Sequence, residues 1–180
     1  IFAGLKGKTV YIEVGTTPGG WFKSLLELVN AGKPDSDKLW ISSESAAYTA
    51  GYTAPNSAPA NKVTVVNTLN SNLAAGMVSG GGMDVVAGFA PITSTILRTN
   101  PQAQTIATTV GNFPPEKSFP STWVASDKWI AENPEAAQAF VNALYEASAW
   151  RAANVDAAMR AGETLSQKPA NSFDPTNMVV

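Results

Sequence analysis

Over residues 9–14 polar and apolar side chains alternate: Val10, Ile12 and Val14 interleave with Thr9, Tyr11 and Glu13. A period of two predicts a strand, ending near Gly15. The spacing then lengthens. Trp21, Leu25, Leu28 and Val29 recur at helical intervals, Thr16 or Thr17 is placed to cap, Pro18 sits early, and residues 30–34 (Asn, Ala, Gly, Lys, Pro) supply a stop. A strand feeding a helix is therefore the first predicted unit.

Residues 35–61 lose the pattern and read as a long insert or loop. They are rich in Ser, Ala, Thr, Pro and Asn and carry Trp40, Tyr48 and Tyr52, aromatics expected to cover the body of the fold. A short strand returns at 63–66, and Asn70 or Ser71 caps a brief helix through Leu73, Ala74 and Met77, which the glycines at 80–82 close. Residues 83–87 read as a strand. Ala90 and Pro91 open a helix carrying Ile92, Ile96 and Leu97, which Asn100 and Pro101 stop, and residues 105–110 read as a further strand. Strands alternating with helices predict βαβ units and a largely parallel, twisted sheet flanked by helices.

Pro114, Pro115 and Pro120 mark a change of direction, with 122–125 a candidate strand crossing between lobes. Asp127 is placed to cap a short turn over 128–131. Asn133, Pro134 and Glu135 then signal the start of a long C-terminal helix with Ala137, Phe140, Val141, Leu144 and Ala147 as its apolar stripe. From Gly162 onward the pattern predicts little structure.

Composition narrows the chemistry. The chain has 180 residues with 12 basic against 14 acidic ones and no basic run, so it has no electrostatic footprint for nucleic acid. It has neither His nor Cys, which excludes disulfides, thiolate metal sites and imidazole bases together, and no two carboxylates stand at a catalytic spacing. No catalytic residue, metal site or cofactor is expected. No apolar run approaches the ~20 residues of a membrane-spanning helix.

Binding is the chemistry these residues suit. A helix start leaves backbone N–H groups unpaired and carries about half a positive charge, which together favour an anion or a polar ligand head. Gly15, Thr16, Thr17 and Gly19 are the predicted capture residues, with the two hydroxyls and the N–H groups of Thr17 and Gly19 facing the ligand. Asn67, Thr68, Gly88 and Phe89 follow later strands. Carboxyl ends of parallel strands face one crevice, so these four are expected to line it, with Trp21 and Phe89 as aromatic walls. A P-loop is disfavoured because no Gly-Lys-Ser/Thr closes the turn. Glu13 and Asp84 are the acids nearest the strands and would need partners if buried; Asp84, at the start of a strand on the side away from the crevice, is read as structural.

Several stretches, taken in order, resemble the ABC-transporter solute-binding proteins for nitrate, sulfonate, taurine and bicarbonate. Residues 5–10 (Leu-Lys-Gly-Lys-Thr-Val), followed by Gly15, Thr16 and Thr17, are similar to that family's entry into its second lobe. Leu73 to Gly76, Gly82 to Val86, Ala90 with Pro91, residues 123–135 and residues 139–147 look like its later motifs. The resemblance covers most of residues 5–155 and departs from the family mainly at 35–61. It implies a periplasmic-binding-protein-like α/β fold. Residues 4–117 would form the second, ligand-binding lobe, and 118–180 the hinge return and C-terminal part of the first lobe, completed by an N-terminal half that lies outside the chain. It further implies a non-enzymatic solute-binding component that closes over a small oxyanion or organic acid and meets an ABC permease. Its location would be periplasmic or extracellular, through an anchor in the absent N-terminus where one exists. A ligand-sensing module uncoupled from transport, or a His-free enzyme on the same fold, are the alternatives.

Overall fold

In the computed structural model, which describes residues 2–53, 61–78, 81–109 and 122–173, the alternation of the first strand becomes a one-sided burial: Val10 and Ile12 are buried and Tyr11 is half-buried. Contacts divide the chain into two units, Ile1–Phe119 and Pro120–Val180.

The first unit is α/β. Its elements are β1 (Thr9–Ile12), α1 (Thr17–Asn30), β2 (Trp40–Ser43), α2 (Ala46–Thr49), β3 (Lys62–Asn67), α3 (Asn70–Gly76), β4 (Val85–Ala87) and α4 (Ile92–Thr99). The four strands pair in parallel throughout, in the order β2-β3-β1-β4. Parallel neighbours need crossovers, and the helices supply them. Val10 and Ile12, Val63 and Val65, and Ile41 turn to one face, where Phe22 and Leu26 of α1, Leu5, Leu39 and Tyr48 close the core. Each such side chain contributes roughly 1.5–3 kcal/mol by leaving water. On the other face Thr64 and Val66 stay exposed.

Several expectations change here. The stretch 35–61 is no plain insert: β2 and α2 lie within it, and its residues 54–60 fall outside the described ones. Sequence pattern misses β2 because its one buried aliphatic is Ile41, and its pairing with β3 is a long-range event. Asn30 holds this excursion, with Nδ2 donating to the Leu39 carbonyl and Oδ1 accepting the Leu39 N–H, both at 2.8 Å. Tyr48 and Tyr52 then cover α1. The Tyr48 hydroxyl donates to the Gly19 carbonyl at 2.8 Å, that of Tyr52 donates to Glu27, and the Lys23 ammonium lies 4.6 and 5.1 Å from the two ring centres. Burial pushes the Tyr48 phenol up to about 12.

The strand expected at 105–110 does not form over its described residues. Ile106 is exposed, and β4 pairs only with β1 among the described residues. Val110, the turn prolines at 114, 115 and 120, and the glycine at 80 lie outside the described residues.

The second unit is helical: α5 (Asp127–Glu132), α6 (Pro134–Ala153) and α7 (Val155–Leu165). Residues 122–125 are not a strand. Ser126, not Asp127, caps α5, its Oγ accepting the Trp129 N–H at 3.2 Å. The long helix starts at Pro134 as its signal predicts, yet no residue of it is buried, its expected stripe included. From Gly162 to Phe173 the chain is more ordered than its pattern implies, because the Glu163 carboxylate accepts the Phe173 N–H at 3.0 Å and pairs with Arg160 at 2.7 Å; residues 174–180 fall outside the described ones.

Candidate functional site

Ile12 is in register with Asn67 on one side and with Ala87 on the other. The segments after β1, β3 and β4 therefore leave the sheet at one end. Hydrogen bonds lace two of them together: Val14 N–H donates to Asn67 Oδ1 at 3.1 Å, and Thr68 N–H to the Ile12 carbonyl at 2.9 Å. From β1 the chain travels toward the β2 edge, whereas from β3 it travels toward β4. Right-handed crossovers running in opposite directions lie on opposite faces, so β1 and β3, adjacent strands, send α1 and α3 apart. That divergence is where open α/β sheets admit ligands.

At the α1 end the donors can be counted. Thr16 N–H donates to the Glu13 carbonyl at 3.1 Å, and the Thr16 hydroxyl donates to the same oxygen at 2.6 Å. Gly19 and Gly20 N–H both turn to the Thr16 carbonyl, at 3.0 and 3.3 Å, and Pro18 has no N–H to offer. Thr16 occupies the N-cap position without making a side-chain cap. What remains without a partner among the described residues is the N–H and hydroxyl of Thr17, which is exposed. The expected set of four donors thus contracts to one residue. Gly15 is exposed beside it.

The glycines serve the protein's own packing. A Cβ on Gly19 would strike the Val14 carbonyl, reaching 2.8 Å from its carbon, so the absent side chain lets α1 close onto the end of β1. At Gly88 a Cβ would meet Asn70 Oδ1 at 2.8 Å and Leu73 Cδ1 at 3.0 Å. Phe89 is 47% exposed and Trp21 half-buried.

Glu13 has a role that sequence reasoning missed. Its Oε2 accepts the Asn70 N–H at 2.9 Å, so a side chain 57 positions away stands at the start of α3, where Leu69 occupies the cap position and makes no side-chain cap. A carboxylate at a helix N-terminus is favoured by its dipole. The expected caps, Asn70 and Ser71, are not used; Asn70 is buried instead, and its Oδ1 has no hydrogen-bond partner among the described residues. The only sequence signal for Glu13 was an acid at the last polar position of an apolar alternation. This end of the sheet therefore presents one polar donor residue on a rigid helix start, an exposed aromatic ring, and a carboxylate already committed to a neighbouring helix.

Among the described residues no group of acidic side chains is placed to hold a metal ion, and no helix is long and apolar enough to cross a membrane. The fold and this end of the sheet define a parallel α/β protein with diverging helix starts. Comparison with family models, with curated proteins and with solved structures finds no match for the chain.

Proposed function

We propose that this chain is the ligand-binding part of a solute-binding component of an ABC uptake transporter, capturing a small oxyanion or organic acid. The observation that carries the reading is the start of α1 at the carboxyl end of β1, beside the segments leaving β3 and β4. Thr17 supplies the N–H and hydroxyl for a ligand oxygen, and Phe89 an apolar wall. The order of motifs along residues 5–155 supports the periplasmic-binding-protein arrangement and a location outside the cytoplasmic membrane.

The second unit fits the same reading. On α6, Phe140, Val141, Tyr145 and Trp150 are all exposed. At 100° per residue they span roughly 220° of the helix circumference, more than one helix contact covers. In this proposal the remainder of the first lobe covers that arc, ligand contacts from both lobes coexist only when the lobes close, and the closed form is what a permease receives.

A thermal-shift screen of nitrate, sulfate, taurine and small sulfonates on the complete two-lobed protein tests the proposal. One hydrogen bond to a charged ligand is worth roughly 1.5–3 kcal/mol, so Thr17→Val is expected to weaken the best ligand about 10-fold or more. Affinity retained within about twofold overturns capture at this corner.

A further inference from the structure

At the amino end of β4, opposite the end that carries Thr17, a solvent-open groove of about 420 Å³ is lined by Met77, Val78, Met83, Asp84, Gln102 and Gln104 among others. Its walls are held from within. Asn100 Nδ2 donates to the Met77 carbonyl at 2.5 Å and Asn100 Oδ1 accepts the Gln102 N–H at 3.1 Å, tying the end of α3 to the turn after α4. Gly76 makes room for Met83, whose terminal methyl lies 2.7 Å from where a Cβ would stand.

Among the described lining residues Asp84 is the one charged side chain. Both α3 and α4 end at the groove, with Met77 and Asn100 as their C-caps, and helix C-termini carry partial negative charge. Asp84 is exposed, and its carboxylate has no ion pair or hydrogen bond among the described residues. No Lys or Arg is among the described lining residues; Arg98 lies in the last turn of α4 and is not one of them.

We infer that this groove binds a small organic cation, an alkylammonium with an apolar stem. Asp84 and the two helix ends supply the opposing charge. The side-chain carbonyls of Gln102 and Gln104 accept the ammonium N–H groups. The thioethers of Met77 and Met83, flexible and polarizable, lie along the alkyl stem. The volume falls within the range of small-ligand sites, roughly 300–1,000 Å³. Because the groove is open to water, binding weakens as salt screens it. This site is independent of the anion capture proposed at the other end of the sheet.

The test is an NMR titration of the intact chain with 1,4-diaminobutane, with 1,4-butanediol as the uncharged control. Saturable shifts confined to amides of residues 76–78, 82–84, 100 and 102–104 are expected, absent with the diol and reduced at high salt. Asp84→Asn is expected to raise the Kd at least about 10-fold while the rest of the spectrum stays unchanged, and Glu44→Gln, an exposed acid elsewhere, to leave it unaltered. Equal shifts with the diol, no saturation, or an Asp84→Asn Kd within twofold overturns the inference. Diamine shifts appearing instead at residues 13–17, 67–68 and 88–89 also overturn it, and leave the oxyanion screen to decide the other site by itself.

Discussion

Gly19 shows how one residue type carries two meanings that sequence leaves unresolved. A glycine beside a helix start admits either a ligand or the protein's own backbone, and here the Val14 carbonyl occupies the space. Helix propensity alone favours alanine over glycine by about 1 kcal/mol. Overpacking against fixed backbone opposes it and costs about 1–3 kcal/mol, so Gly19→Ala is expected to lower the urea midpoint rather than raise it. An unchanged or higher midpoint would mean that α1 and β1 do not meet this closely. Thr16 teaches the same lesson, since its hydroxyl was equally eligible to cap α1, to face a ligand, or to turn back to the Glu13 carbonyl, as it does.

Among the elements, α1 was legible because everything that specifies it is local: β-branched alternation, a turn, Pro18 near the start, helical spacing and a stop. The end of α7 was not. Residues 166–173 have no apolar period, yet Glu163, with its side chain 3% exposed, gathers them through backbone N–H groups, while Gln167 and Asn171 adopt left-handed φ of 52° and 63°. Arg160 bridges Glu163 and the Asn171 side chain. Desolvation raises the Glu163 carboxyl, but the N–H groups of Phe173, Asn171 and Ser172 together with Arg160 outweigh it and hold the group below the usual glutamate range. A depressed carboxyl stabilises the folded form above its unfolded pKa, and that contribution disappears as pH falls through the folded value. Exchange of the Phe173 amide is therefore expected to accelerate below about pH 4.5 beyond its intrinsic acid dependence, with Glu163→Gln removing the extra acceleration. An amide whose protection is the same at pH 3 and pH 6 would show that the clasp is not electrostatic.

At the scale of the molecule the two units differ in how much they bury. The first has a core of eleven mutually packed side chains around the sheet. In the second, Met159 is the one buried apolar side chain among the described residues, and Trp123 and Tyr145 are 74% and 75% exposed. Contiguous exposed apolar surface marks an interaction site. The isolated chain is expected to bind the dye ANS at neutral pH while its first unit stays folded, and replacing Phe140, Tyr145 and Trp150 together by Ser is expected to abolish most of that fluorescence. Dye binding unaffected by the triple replacement would place the exposed apolar surface elsewhere. By itself the sequence determined the class, a parallel α/β unit followed by a long helix, because hydrophobic period, turn residues and helix stops act over a few neighbouring positions. Tertiary structure alone decided that β2 joins the sheet, that Glu13 serves α3, and that Thr17 rather than Thr16 keeps its donors. Those outcomes are hydrogen bonds and contacts between segments far apart in the chain, and no local pattern encodes which partner reaches a donor first.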